Sequence, residues 1–142
     1  VIASVGPGKR LPDPTNPLLV MRNGKPILTC GAMGGNGLPS LVLQRLVSML
    51  EFGRDAFSAA AEPYTLGTYL SGAAGAEAGK EAVLSGTFAP AVIEQLEALG
   101  QLVEVIPESQ QEAQWIAIQI DPETRQLRPG VTRQLPALIE AY

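Results

Sequence analysis

The sequence's most chemically promising segment is Gly31-Ala32-Met33-Gly34-Gly35-Asn36-Gly37, four glycines in seven residues between an apolar, strand-like run and an apolar helical one. Consecutive backbone N–H groups at the head of a helix can hold an anion, or the oxyanion of an acyl-transfer intermediate. Leu38-Pro39 stands where a Walker loop carries Lys-Ser or Lys-Thr, so this is not a nucleotide phosphate loop. Nor does its spacing match the G-x-G-x-x-G of dinucleotide folds. Two readings remain, a tight turn that serves the backbone alone and an oxyanion or anion site.

The other chemistry-bearing residues narrow the choice by what they lack. The sequence has no histidine, so this chain alone builds no Ser-His or Cys-His nucleophile pair and no His-containing metal cluster. Cys30 is the single cysteine, which rules out a Cys-only zinc site and an internal disulfide and leaves the redox compartment open. No metal and no cofactor are expected. Among the eleven glutamates, Glu94 and Glu97 fall on the wet face of one helix and Glu77 and Glu81 in a Gly/Ala-rich stretch, where a solvated surface is the expected role. Trp115 lies in a β-type run with Ile116 and Ile118 and reads as core. Lys9-Arg10 reads as a solvated pair in a proline-rich loop, within reach of a substrate carboxylate if that loop approaches a site.

The chain has 142 residues, 46% of them apolar and 17% charged, with a net charge of −4. That length buries the core of one domain. Ten Lys and Arg against fourteen Asp and Glu do not supply the positive field a nucleic-acid backbone demands. No apolar run reaches the roughly 18 residues of a membrane span. The expected partners therefore include neither nucleic acid nor membrane. Residue 1 is Val, which points to an end set by processing or cleavage and to a piece of a larger protein.

The elements that must position the glycine segment follow from periodicity and turn chemistry. Proline and glycine in Val5 to Pro17 predict an irregular extended loop. Leu18–Met21 and Pro26–Cys30 flank Asn23-Gly24, the favoured pair of a type I′ turn, and predict a β-hairpin. A helix is predicted from Leu38 to Phe52, stopped by Gly53, with Leu43 and Val47 widening its apolar stripe until it is buried on most sides. Asp55 caps a short helix through Ala61. The segment 66–86 reads as a flexible connection between regions 1–65 and 87–142 of one domain. Pro90 opens a helix to Leu99 with Ile93, Leu96 and Leu99 on one face, followed by β runs at Leu102–Ile106, Ala113–Ile120 and Gln126–Arg128 and a last helical turn within 133–142. The fold class is α+β.

These segments, taken in order, carry a resemblance. Val5-Gly6-Pro7-Gly8-Lys9-Arg10, the Asn23-Gly24-Lys25-Pro26 turn, the Gly31-Ala32-Met33-Gly34-Gly35-Asn36 loop and the helix ending Glu51-Phe52-Gly53 resemble the C-terminal part of the γ-glutamyltranspeptidase family. Phe88-Ala89-Pro90, Gly100-Gln101-Leu102-Val103-Glu104-Val105 and Ala141-Tyr142 resemble its last segment.

The resemblance implies the distal part of an αββα N-terminal-nucleophile hydrolase sandwich, incomplete without the preceding chain. It also implies self-cleavage into two subunits and a Thr nucleophile at the small subunit's new N-terminus, whose α-amine is the base. By that likeness Gly34 and Gly35 supply oxyanion donors, while Asp13, Thr15 and Asn16 line the substrate loop. The implied partners are the large subunit, the N-terminal part of the small subunit and a small amide or acyl substrate. Two departures stand out. Asp13-Pro14 replaces the family's paired carboxylate-binding serines, and Ala61-Glu62-Pro63-Tyr64 stands where Ala-Pro-Arg is usual. The first argues against glutathione as substrate. Two other readings are a stand-alone anion-binding module and an inactive structural homologue.

Overall fold

The structure is a computed structural model that describes residues 6–9, 16–34, 38–68, 79–107 and 113–132. The predicted tail helix within 133–142 lies outside them. Gly6-Pro7-Gly8-Lys9 forms a turn closed by Lys9 N–H donating to the Gly6 carbonyl at 3.2 Å, with Gly8 at φ +78°. Proline at the second position and glycine at the third are the type II arrangement.

Strands β1 (Leu18–Arg22) and β2 (Lys25–Met33) form the predicted hairpin, with φ positive at Asn23 and Gly24 as a type I′ turn requires. Helix α1 (Leu38–Leu50) and helix α2 (Ala56–Ala61) follow, then β3 (Thr65–Thr68), β4 (Glu81–Leu84), α3 (Pro90–Ala98), β5 (Val103–Ile106), β6 (Gln114–Ile120) and β7 (Leu127–Val131). The strands make two sheets, β1-β2-β6-β7 with antiparallel neighbours throughout, and β3-β4-β5 with β4 and β5 parallel across α3.

Three expectations are corrected. Both ends of the segment read as a flexible connection are strands, β3 and β4, and residues 69–78 between them lie outside the description. Small residues misled there because a small side chain can also be core: Ala82 is fully buried and packs in the core cluster. Leu43 and Val47 are exposed and line an open groove of about 730 Å³, so α1 buries one face only. Leu99 is exposed too and belongs to no buried stripe of α3.

Side chains alternate across the first sheet, and one face is the core. Leu28, Cys30 and Ala32 on β2 oppose Gln119, Ala117 and Trp115 on β6 and meet Leu38, Leu41, Val42 and Met49 of α1 and Ala56, Ala59 and Ala60 of α2. Trp115 is fully enclosed, as its β-run setting predicts. The opposite face carries Leu19, Met33, Ile116, Ile118 and Leu127, all exposed. The sheet is thus covered by helices on one side and presents a contiguous apolar face on the other, the mark of a surface built to be covered.

Helix α2 lies very close to this sheet. A Cβ on Gly130 of β7 would stand 2.1 Å from the Ala56 carbonyl oxygen, so only glycine admits the approach. The Ala56 N–H donates to Gln119 Oε1 at 3.1 Å. Asp55 is the N-cap, its carboxylate accepting from the Ser58 N–H at 2.8 Å and the Ser58 hydroxyl at 3.0 Å. Those bonds hold the Asp55 carboxyl below the usual carboxylate range. Asp55→Ala is expected to cost about 1 kcal/mol at neutral pH. Because the folded pKa is depressed, the cap contributes fully above the ordinary aspartate value and is lost as pH falls through the lowered one. Thermal unfolding of both proteins from neutral pH downward should show the gap closing in acid, and a constant gap would contradict this origin.

Candidate active site

The glycine segment is shorter as a loop than its sequence implies. Gly31, Ala32 and Met33 are strand residues, in register with Ile116, Trp115 and Gln114 of β6, because the ladder to β6 satisfies their backbone groups. Gly31 therefore belongs to the sheet, which corrects the seven-residue loop of the sequence reading. β2 ends at Met33, and Gly34 follows, exposed and at φ +136°, a conformation that side-chain-bearing residues rarely adopt. Leu38, 3% exposed, locks the start of α1 into the core four residues later. Gly35, Asp13 and Thr15 lie outside the described residues.

Register brings the remaining candidates to one end of the sheet. Leu18 opposes Cys30 on an antiparallel partner, so half-buried Asn16, two residues earlier, lies toward the Ala32–Gly34 end of β2. Gln114, opposite Met33, is at the same end. Sequence reasoning did not place Gln114 at this end of the sheet. Its only signal was its place at the start of a β run, and the partner strand that gives this meaning is some eighty residues away.

The helix leaving the turn is fixed by polar contacts. Gln44 uses both ends of its amide on Thr65, accepting from its N–H at 2.9 Å and donating to its carbonyl at 2.9 Å. Arg45, 1% exposed, donates through Nη2 to the Glu62 carbonyl at 2.6 Å and sits 5.1 Å from the centroid of the Tyr64 ring. Burial draws the Arg45 pKa down, and the Glu62 carboxylate opposes that. Glu62 also accepts from Ser48 Oγ at 2.5 Å and pairs with Arg54 at 3.1 Å. The Glu62-Pro63-Tyr64 departure thus has a local reason: its residues surround a buried arginine on the neighbouring helix.

Cys30 is buried in the core, and burial pushes its thiol pKa up, against a smaller lowering contribution from Trp115. A protonated, enclosed thiol is no nucleophile. Among the described residues no three His, Cys, Asp or Glu stand together as a metal would need, and no helix is long and apolar enough to cross a membrane. Among the described residues, what the sheet end offers chemically is the exposed main chain of Gly34, with half-buried Asn16 and Gln114 toward the same end.

Comparison with known proteins places this geometry. A search of curated protein sequences finds no match. Solved structures do match. A mutant of Helicobacter pylori gamma-glutamyltranspeptidase superposes with a TM-score of 0.74 at 19% identity, over 91% of this chain and 65% of that one. The Pseudomonas nitroreducens gamma-glutamyltranspeptidase gives 0.76 at 18% identity, over 100% and 69%. The Bacillus anthracis transpeptidase CapD gives 0.72 at 15%, over 96% and 75%. The chain thus spans about two thirds of the length of the gamma-glutamyltranspeptidase chains it matches, and at these identities the likeness is one of fold. The family profile for gamma-glutamyltranspeptidase matches residues 2–131, nearly the whole chain. This chain belongs to the gamma-glutamyltranspeptidase family of N-terminal-nucleophile hydrolases.

Proposed function

We propose that this chain is the distal part of an amide hydrolase or acyltransferase and supplies oxyanion donors, from Gly34 and Gly35, to a Thr nucleophile carried by polypeptide that precedes Val1. The observation that carries the reading is the junction between β2 and α1: a strand end at Met33, Gly34 at φ +136°, and a helix anchored at Leu38. The open apolar face of the first sheet supports it, since the second sheet of an αββα sandwich would cover that face. The remaining partners are the large subunit and the N-terminal part of the small subunit.

In this mechanism the Thr hydroxyl attacks the substrate carbonyl carbon while the α-amine of the same residue takes its proton. The C=O π electrons move onto oxygen, and backbone N–H groups of the glycine turn hydrogen-bond the charge as it develops. Collapse of the intermediate expels the amine, which receives the proton, and leaves an acyl ester. Water or an acceptor amine then attacks the ester and regenerates the hydroxyl. Asp13, Thr15 and Asn16 line the acyl pocket. An ionised Asp13 only accepts hydrogen bonds, so it disfavours an α-carboxylate where paired serines would welcome one. Like charges about 4 Å apart cost a few kcal/mol at an intermediate dielectric. The acyl group is therefore neutral or cationic at that end.

Stopped-flow turnover of acyl anilides tests this. The complete protein should show a burst of released aniline, and the isolated 142-residue chain none. It should prefer 4-aminobutanoyl anilide to γ-glutamyl anilide, with Asp13→Ser narrowing the difference. Turnover by the isolated chain would refute the division of labour, and a γ-glutamyl preference unchanged in Asp13→Ser would refute the specificity.

A further inference from the structure

Helix α1 is apolar on two opposite faces. Leu41, Val42 and Met49 enter the core, while Leu43, Val47 and Leu50, at i, i+4 and i+7, form a stripe on the far side that is exposed. With Phe52, 76% exposed, Leu43 and Val47 line the open groove of about 730 Å³. A helix that is apolar all round is ordinarily buried all round, and large apolar side chains gathered in one groove mark a contact surface. The two charged side chains lining the groove, Arg54 and Glu62, are paired with each other at 3.1 Å, so its rim is electrically neutral among the described residues.

We propose that this groove is the docking site of an amphipathic helix from the polypeptide that precedes Val1. The proposal rests on the reading above only in requiring that polypeptide. This chain spans 65% and 69% of the two gamma-glutamyltranspeptidase chains compared above, so about a third of each has no counterpart in it. The chemistry of the groove selects a helix over a strand. One wall is α1, whose main-chain groups are spent within the helix, so a strand laid along it would lose water from its own N–H and C=O groups and gain no ladder. A helix satisfies those groups internally. The rim's neutrality asks for an uncharged face. Leu43 and Leu50 lie about 10 Å apart along the axis of α1, so the partner needs at least two turns with apolar side chains on one stripe to fill the gaps between them.

Photo-cross-linking in the complete protein tests this, with p-benzoylphenylalanine in place of Leu43 or Leu50, both on the exposed face of α1. The two positions should capture residues of the preceding polypeptide about seven apart, the helical spacing over about 10 Å. Captured residues about three apart would mean an extended occupant, since a strand covers that distance in three residues, and would overturn the proposal. Capture of this chain's own residues, of a second copy, or of nothing would overturn it too. The same reagent in place of Ile116, 45% exposed on the open sheet face, reads the sandwich separately. Capture of preceding polypeptide there, with none at 43 and 50, would keep the sandwich and sink the docking helix. The converse pattern would keep the docking helix and count against the sandwich.

Discussion

Gly130→Ala is expected to destabilise the fold by at least about 3 kcal/mol, the upper end of ordinary overpacking costs. The new Cβ would lie 2.1 Å from the Ala56 carbonyl oxygen and 2.4 Å from its carbonyl carbon. These are main-chain atoms at the start of α2, whose first N–H is tied to Gln119 and whose alanines rest on the sheet. No side-chain rotation relieves the contact, so the helix must lift off β7 or the strand must bend. Thermal unfolding, with Gly6→Ala as control, measures the effect, since a Cβ on Gly6 meets nothing within 4 Å. The control should stay within about 0.5 kcal/mol of the parent. A Gly130→Ala protein as stable as the control would mean that α2 does not sit where the structure places it.

On the proposed acyl-transfer reading, Gly35→Pro in the complete protein is expected to lower kcat by about 10²- to 10³-fold, the usual effect of deleting one oxyanion donor. Proline removes the N–H and leaves the chain otherwise continuous. Gly35→Ala retains the donor and adds only a Cβ, so it separates the steric contribution. The loss should fall on kcat with little change in KM, because the charge appears only in the transition state. A folded Gly35→Pro enzyme with near-normal kcat would reduce the turn to a structural element.

Local signals in the sequence located the hairpin, both long helices and the capped short helix, and each has a short-range cause. Asn23-Gly24 favours positive φ at both turn positions, Asp55 offers a side-chain acceptor three residues before Ser58, and Pro90 and Gly100 bracket α3. What local pattern missed was decided by partners far along the chain. Gly31 to Met33 look like loop until β6 supplies their ladder, and Glu81–Leu84 is a strand because β5 lies parallel to it across α3. Leu43 and Val47 carry a helical period that says they are apolar but not what covers them. The paired glycines stand out in the sequence as a motif, and the structure describes only Gly34 of the two. The pairing of Gln114 with Met33 was not legible, since it exists only through the β2–β6 register.

The Gln44 contact with Thr65 has a consequence for how the molecule can assemble. A primary amide that accepts from a residue's N–H and donates to its carbonyl occupies the two groups a neighbouring strand would use there. At that residue the edge of β3 is capped by a side chain from α1. A strand laid beside β3 would find no ladder partner at Thr65. One glutamine thus spends both of its amide groups on blunting a strand edge, and replacing Gln44 with an apolar residue would leave the Thr65 N–H and carbonyl without those partners.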